Sequence, residues 1–316
     1  MTKVQTTETT AESLIKSESH TPQKKIYKKK WGDRKDGRRL RSLDPLTMVA
    51  PFIMPTRVES QNLFSDSVDM NYLNDFVHKK KAEGLTNFNV MHVLVAAYVR
   101  TVSQRPGINR FLSGLRIYAR QDIEVNMAVK KSLALDAQET MIKCIFSPED
   151  TVDDVYTQLN EKITEAQNAI EEETLFDKLA RCLGFFPRWL LKSAIKFLSF
   201  LDYHGKLPRS LTLLSPFHGS MVLTSMGSLG IPVIYHHLYN FGNVPVFIAF
   251  SATRKEKTID KDGSVKTLRY LDFTVTTDER ICDGFYYASA FHELKKNLKN
   301  PQLLEQKPEK VIEDVD

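Results

Sequence analysis

The stretch Tyr270-Leu271-Asp272-Phe273-Thr274-Val275-Thr276-Thr277-Asp278-Glu279-Arg280-Ile281-Cys282-Asp283-Gly284, running straight into Phe285-Tyr286-Tyr287-Ala288-Ser289-Ala290-Phe291, decides how the rest of the chain is read. From Tyr270 to Thr276 apolar and polar side chains alternate, and β-branched and aromatic residues dominate, the pattern of a strand. Asp278 to Gly284 crowds three acids, an arginine and a glycine into a short connection. Phe285, Ala288, Phe291, Leu294 and Leu298 then recur on one helical face. The stretch therefore reads as strand, charged turn and helix. Charged turn residues are ordinarily solvated, but charges wedged between two apolar elements point to something partly buried and paired.

Upstream, Asp260-Lys261-Asp262-Gly263 reads as the hairpin turn leading into that strand. Phe88 to Ser103 is apolar over most of its circumference, which predicts a central helix ended by Pro106-Gly107. Phe64 to Met70 reads as a strand and Asn71 to Lys80 as a helix. Ile117 to Val129 reads as two strands with a turn near Gln121-Asp122, and Met141 to Phe146 as another strand. Ser147-Pro148-Glu149-Asp150 has the residues of a helix start. Leu43 to Arg57, with three prolines, reads as an extended lead-in. Leu211 to Gly230, Val233 to Tyr239 and Val244 to Ala252 read as extended runs.

Asp278-Glu279-Arg280-Ile281-Cys282-Asp283-Gly284 resembles the signature near the C-terminus of the 2-oxo acid dehydrogenase acyltransferase catalytic domain, which shares its fold with chloramphenicol acetyltransferase. That signature runs aspartate or histidine, histidine, three residues, aspartate, glycine. Leu223-Thr224-Ser225-Met226-Gly227-Ser228-Leu229-Gly230 resembles the family segment of isoleucine, serine, asparagine, leucine, glycine, two residues and glycine. Pro106-Gly107-Ile108-Asn109 resembles its proline-to-asparagine turn, and Val68-Asp69-Met70 its first strand and helix start. The resemblance spans about residues 43–304 and implies an α/β, two-layer acyltransferase fold with mixed β-sheet and packed helices.

It further implies a homotrimer with active sites between subunits and coenzyme A entering as an acyl-CoA substrate. Glu279 stands where the family has its basic histidine, and Thr224 where a serine hydroxyl donates to the oxyanion of the tetrahedral intermediate. Asp283 and Arg57 take the places of a pair that holds the turn. A carboxylate with a pKa near 4.3 matches a thiol near 8.5 less well than an imidazole near 6.5, and burial beside Asp278 or Asp283 raises a carboxyl. His236, His237 and His292 are the other histidines near enough in pattern to weigh, and a core or surface role fits them better. No lipoyl module or subunit-binding domain precedes the matched region, which points to a free-standing relative.

Residues 1–42 read as a disordered basic arm, polar and without hydrophobic periodicity through about Gln23. Within it Lys24 to Arg41 interleaves Tyr27 and Trp31 with ten Lys and Arg residues, and residues 305–316 read as a polar tail. Residues 171–205 have no counterpart in the resemblance. They read as two amphipathic helical pieces broken at Gly184-Phe185-Phe186-Pro187, suited equally to a packed insertion, a lid or an interfacial membrane helix.

The 316 residues carry 44 Lys plus Arg against 39 Asp plus Glu, a net charge of +5, too little to demand a polyanion, so no specific nucleic acid is expected. Cys144, Cys182 and Cys282 make neither a disulfide framework nor a zinc spacing, and no metal is expected. Without an apolar leader or a bilayer-length apolar run the expectation is a cytoplasmic protein, with peripheral membrane contact through 24–41 and 171–205 as an option. Three readings stand: an acyltransferase with an altered active site and an unidentified acceptor, a catalytically inactive trimeric scaffold, or a membrane-associated binding protein.

Overall fold

The computed structural model describes residues 28–130, 139–168, 181, 185–260 and 262–316. The reading of the first 27 residues as disordered, and of the first helical piece of the insertion, falls largely outside them.

Among the described residues the architecture is a mixed seven-stranded sheet carrying helices, with a small three-stranded sheet beside it. The large sheet has the order β2-β10-β8-β7-β5-β6, where β2 is Gln61–Asp69, β10 Val265–Asp278, β8 Val246–Phe250, β7 Met221–Ser225, β5 Ile123–Lys130 and β6 Glu139–Phe146. β5, β7 and β8 are mutually parallel and the remaining pairs antiparallel. β9, Arg254–Ile259, pairs with the outer half of β10 through the predicted hairpin, whose Gly263 takes a φ of 83°.

β10 is longer than the alternation alone indicated. Its first half is largely solvated. From Leu271 on it lies between β2 and β8 and is buried on both faces, which is why Val275 and its polar neighbours Thr274 and Thr276 all disappear from solvent. Such burial of threonine requires hydrogen bonds. Thr274 Oγ1 donates to the Ile234 carbonyl at 2.7 Å and Thr276 Oγ1 to the His236 carbonyl, so residues 231–239 run extended beside the strand without joining the ladder.

The helix predicted from Phe88 is α3, Val90–Gln104, preceded by α1, Pro45–Ile53, and α2, Met70–Ala82. Asn89 caps α3, its Oδ1 accepting from Met91 N at 2.9 Å, while His92 Nδ1 accepts from Asn89 N at 3.1 Å. His92 also stacks on Phe88, and burial pushes its pKa down to about 4, keeping the ring neutral as an acceptor. α3 is buried from His92 to Ser103 and packs against α2, α4 (Val152–Asn168) and α7 (Gly284–Lys299). Its burial supplies the middle of one contiguous apolar core that also includes Ile108, Val125, Leu159, Phe273 and Leu294.

Four expectations are corrected. Residues 43–57 are not merely extended: Asp44 caps α1, with Oδ1 accepting from Thr47 N at 3.0 Å, and Pro45 sits at the first helical position where its missing N–H costs nothing. Ser147 to Asp150 form a closed turn, and the helix start falls on Thr151 and Asp154, whose side chains and backbone N–H groups bond reciprocally. Residues 209–214 are helical (α6), so the return to sheet begins only at β7. The described part of the basic stretch contributes Gly37–Arg39 (β1) to the small sheet, in the order β1-β4-β3 with β4 Arg116–Arg120 and β3 Arg110–Ser113.

Residues 305–316 lie against this layer. Arg110 Nε reaches Asp314 at 2.7 Å, Ile312 N bonds the Ser103 carbonyl, and the Asp316 carbonyl accepts from Arg41 N and Ser42 N. The insertion's second piece is α5, Arg188–Tyr203.

Among the described glycines, Gly242 leaves the least room for a side chain. Its φ is 91°, and a Cβ built there falls 2.0 Å from the Phe217 carbonyl oxygen. Gly242→Ala is expected to cost about 2–3 kcal/mol through the left-handed backbone and the overlap together. Urea denaturation reads this directly, and a cost within experimental scatter contradicts the packing.

Candidate active site

Asp278 ends β10 with 1% of its surface exposed. Burial pushes its carboxyl up. The hydrogen bonds from Arg280 and the charges of Arg57 and Arg280 outweigh that and hold it below the usual aspartate range. Arg280 Nε donates at 2.8 Å to Oδ1 and Nη2 at 2.7 Å to Oδ2, and Ser60 Oγ donates to Oδ1 at 3.0 Å. Arg280 Nη1 meets the carbonyls of Met54 and Pro55, tying the turn to the segment after α1.

The rest of the turn is gripped from other elements. Glu279 N donates to the Ser60 carbonyl at 2.8 Å, and Tyr287 on α7 donates its hydroxyl to the Asp278 carbonyl at 3.0 Å. Arg110 Nη1 reaches the Ile281 carbonyl at 3.2 Å, while Tyr286 accepts from Gly107 N at 2.9 Å. Cys282 is buried beneath, and burial pushes its thiol far up, so it is inert as a nucleophile. Gly107 thus braces the first turn of α7, and Arg110 the turn itself.

Each predicted site residue has a definite place. Glu279 is exposed, and among the described residues its carboxylate has no hydrogen-bond or ion-pair partner. Asp283 is exposed and caps α7, its Oδ1 accepting from Tyr286 N at 2.7 Å. Arg57 is buried, donating Nη2 to the Gly242 carbonyl at 2.9 Å and Nη1 to the Val244 carbonyl. The two therefore do not form the expected pair. The charge nearest in role is Asp278, which feels Arg57 through space while bonding Arg280. Sequence reasoning took Asp283 for the holding acid because the resemblance pointed there. Alternation gave no sign of this, since it sets Asp278 on the side of Asp272, Thr274 and Thr276, and only the covering of both faces of β10 encloses it.

Thr224 lies near the end of β7, half-buried. The ladders set Thr224 level with Ala249 and Ala249 level with Thr274. Asp278 is four residues beyond Thr274, so Glu279 lies about 13 Å or more along the strand direction and about 10 Å across two ladder spacings from Thr224. Within one chain the two do not meet.

His236 and His237 fall on the segment beside β10. His236 stacks on Phe247 with centroids 4.5 Å apart, burial pushes its pKa down, and its Nε2 is enclosed. His237 is exposed against Tyr239, and His292 is exposed on α7. None takes the position of Glu279 on the turn.

A second polar cluster was not anticipated. Glu124, fully buried, accepts from Arg209 Nη2 at 2.6 Å. Lys143 donates to the carbonyls of Thr212, Ser215 and His218 at 2.6–2.9 Å, and burial pushes its pKa down to about 8. Arg120 bonds Asn243 Oδ1 at 2.9 Å and lies 4.3 Å over Phe111. These residues staple the chain entering β7 to β5 and β6, and the chain entering β8 to β4. A cavity of about 430 Å³ between Val102, Asn109, Gln121, Pro148 and Ile312 borders this cluster at Arg120, and neither Glu279 nor Thr224 lines it. No group of side chains suited to a metal ion occurs among the described residues.

A mixed sheet whose long strand passes through a buried acidic corner into a capped helix, with helices packed around α3, is the two-layer α/β fold of acyltransferase catalytic cores. A probable dihydrolipoamide acetyltransferase from Listeria monocytogenes shares it at a TM-score of 0.52 and 14% identity, over 84% of this chain and 95% of that one. The truncated catalytic core of the 2-oxoacid dehydrogenase multienzyme complex from Thermoplasma acidophilum matches at 0.49 and 12%, over 84% and 99%. Dihydrolipoamide acetyltransferase from Azotobacter vinelandii matches at 0.47 and 13%, over 82% and 88%. No protein-family model matches the chain, and no curated protein matches its sequence.

Proposed function

We propose that the chain is an acyltransferase whose site is completed between copies, with Glu279 of one protomer facing Thr224 of another in a homotrimer. The supporting observation is the fixed turn: Asp278, Arg280, Ser60 and the cap at Asp283 hold Glu279 outward on a rigid corner, while Thr224 lies too far away in its own chain to share a substrate with it. Acyl-CoA is the donor in this reading. Glu279 takes the proton of the incoming alcohol or thiol, the nucleophile forms its bond to the thioester carbon, and the oxyanion accepts from the Thr224 hydroxyl. Collapse breaks the carbon–sulfur bond, and the proton returns from Glu279 to the departing thiolate of coenzyme A.

The test is a calorimetric titration of the purified chain with coenzyme A, paired with thiol release from acyl-CoA and the mass of the assembly in solution. Glu279→Gln is expected to lower turnover about a hundredfold while leaving coenzyme A affinity intact. A second reading, a trimeric scaffold without turnover, is favoured by the exposure of Glu279, whose carboxylate has no partner among the described residues to orient it toward a substrate. No coenzyme A binding at millimolar ligand, with turnover absent in both proteins, selects the scaffold.

A further inference from the structure

Helix α5 carries its aromatic side chains outward. On a wheel of 100° per residue Trp189, Phe200, Ser193 and Phe197 fall within an arc of about 80°, with Lys196 and Lys192 along one border. Trp189 is 70% exposed, Phe197 60% and Phe200 55%, and Phe185 just before the helix is 85% exposed. The opposite side, with Leu191, Ala194, Leu198 and Leu201, is half-buried. The one acid between Phe185 and Tyr203 is Asp202, which is buried and bonded to Arg34 Nη2 at 2.9 Å. That bond fixes the helix's C-terminal end, so the aromatic face is held away from the protein body.

The outward face therefore combines three large aromatics, the cations Lys192 and Lys196 with Arg188 nearby, and no carboxylate. We infer that α5 docks on the surface of an anionic lipid bilayer, lying in its plane. Aromatic rings settle among headgroups and acyl chain ends, and the lysine stems reach back to lipid phosphates and carboxylates. A helix of 16 residues, about 24 Å long, is suited to this orientation, and no helix among the described residues is long and apolar enough to cross. A second copy meeting the same face through a two-fold axis would set these cations against their equivalents, whereas an anionic bilayer complements them along their whole length.

The experiment uses the full chain with Trp31→Phe, leaving Trp189 as its one tryptophan, and vesicles of phosphatidylcholine with and without phosphatidylserine. Trp189 emission is expected to shift to the blue with the anionic vesicles, and the protein to sediment with them. Lys192→Glu with Lys196→Glu is expected to weaken partitioning at least about thirtyfold, and Phe197→Ser with Phe200→Ser at least about tenfold. Circular dichroism on both double variants checks that the fold persists, and added salt weakens binding of the parent chain. Two results overturn the proposal. One is an unshifted Trp189 with no co-sedimentation. The other is emission already blue without lipid, in an assembly that Phe197→Ser with Phe200→Ser dissociates, which assigns the face to a second copy.

Discussion

Arg280→Ala is expected to destabilise the fold by about 3–5 kcal/mol at neutral pH, because it strips a wholly buried carboxylate of its partner. Asp278 and Arg280 are 1% and 3% exposed at the side chain, and two of the bonds between them are 2.8 Å or shorter. Ser60 Oγ and the Arg57 charge remain in the variant, yet neither matches a two-pronged guanidinium. The pH dependence supplies a second signature. In the parent chain the folded Asp278 titrates below its unfolded counterpart, so its contribution is present above the ordinary aspartate range and is lost as pH falls through the lowered value. In Arg280→Ala burial dominates and the folded carboxyl titrates high, so the variant's deficit shrinks between about pH 7 and about pH 4. Urea denaturation at both values measures it. A deficit below about 1 kcal/mol, the size of a surface pair, would sink the buried-corner account.

The consequence for chemistry follows from the same pair. The corner that aims Glu279 is held by Asp278 and Arg280, and the acid that the resemblance assigned to that task, Asp283, is spent on capping α7. A carboxylate accepting backbone N–H at a helix start stabilises the helix whether or not anything is catalysed. Retention of this corner thus says little by itself about turnover, and Glu279 and Thr224 must be tested by their own substitutions.

Strand, turn and helix around Asp278 were legible because alternation and helical spacing are local, and so was α3, whose apolar residues cover nearly every side. Both strands around Gln121-Asp122 were legible for the same reason. α1 was not: three prolines argue against a helix unless one of them falls on its first position behind a cap, as Pro45 does behind Asp44. The start of α4 was ambiguous between two similar polar clusters, Ser147-to-Asp150 and Thr151-to-Asp154, of which the first closes a turn. Segment 209–214 misled, since an apolar run of that length fits a helix as well as a strand, whereas 231–239 is extended as read and is held by side-chain bonds instead of a ladder. The buried clusters had no local signature at all. Glu124, Lys143 and Arg209 come from three separate elements, and only the folded sheet brings them within reach.

Arg34→Ala is the other change expected to cost about 3–5 kcal/mol, and it tests whether the basic stretch belongs to the domain. Arg34 comes from a run that reads as part of a disordered basic arm, yet its side chain is 5% exposed and joins three parts of the molecule. Nε meets Asp36 at 2.8 Å, Nη1 meets Ser113 Oγ and the Asp202 carbonyl at 2.7 Å, and Nη2 meets Asp202 Oδ1 at 2.9 Å. Removing it leaves Asp202 with His218 Nε2 at 3.5 Å, and that ring is neutral because burial holds its pKa down. The variant relieves the stranded carboxylate by protonating His218, so its deficit narrows on mild acidification, whereas Arg34→Lys keeps the charge, loses the fork and falls between. The break is also local: with its end released, α5 is expected to be cut by protease between Phe185 and Gly205 well before the sheet is. A loss of stability without faster cleavage there would place the damage in the small sheet instead, through Asp36 and Ser113, and separate the arm from the insertion it is argued to hold.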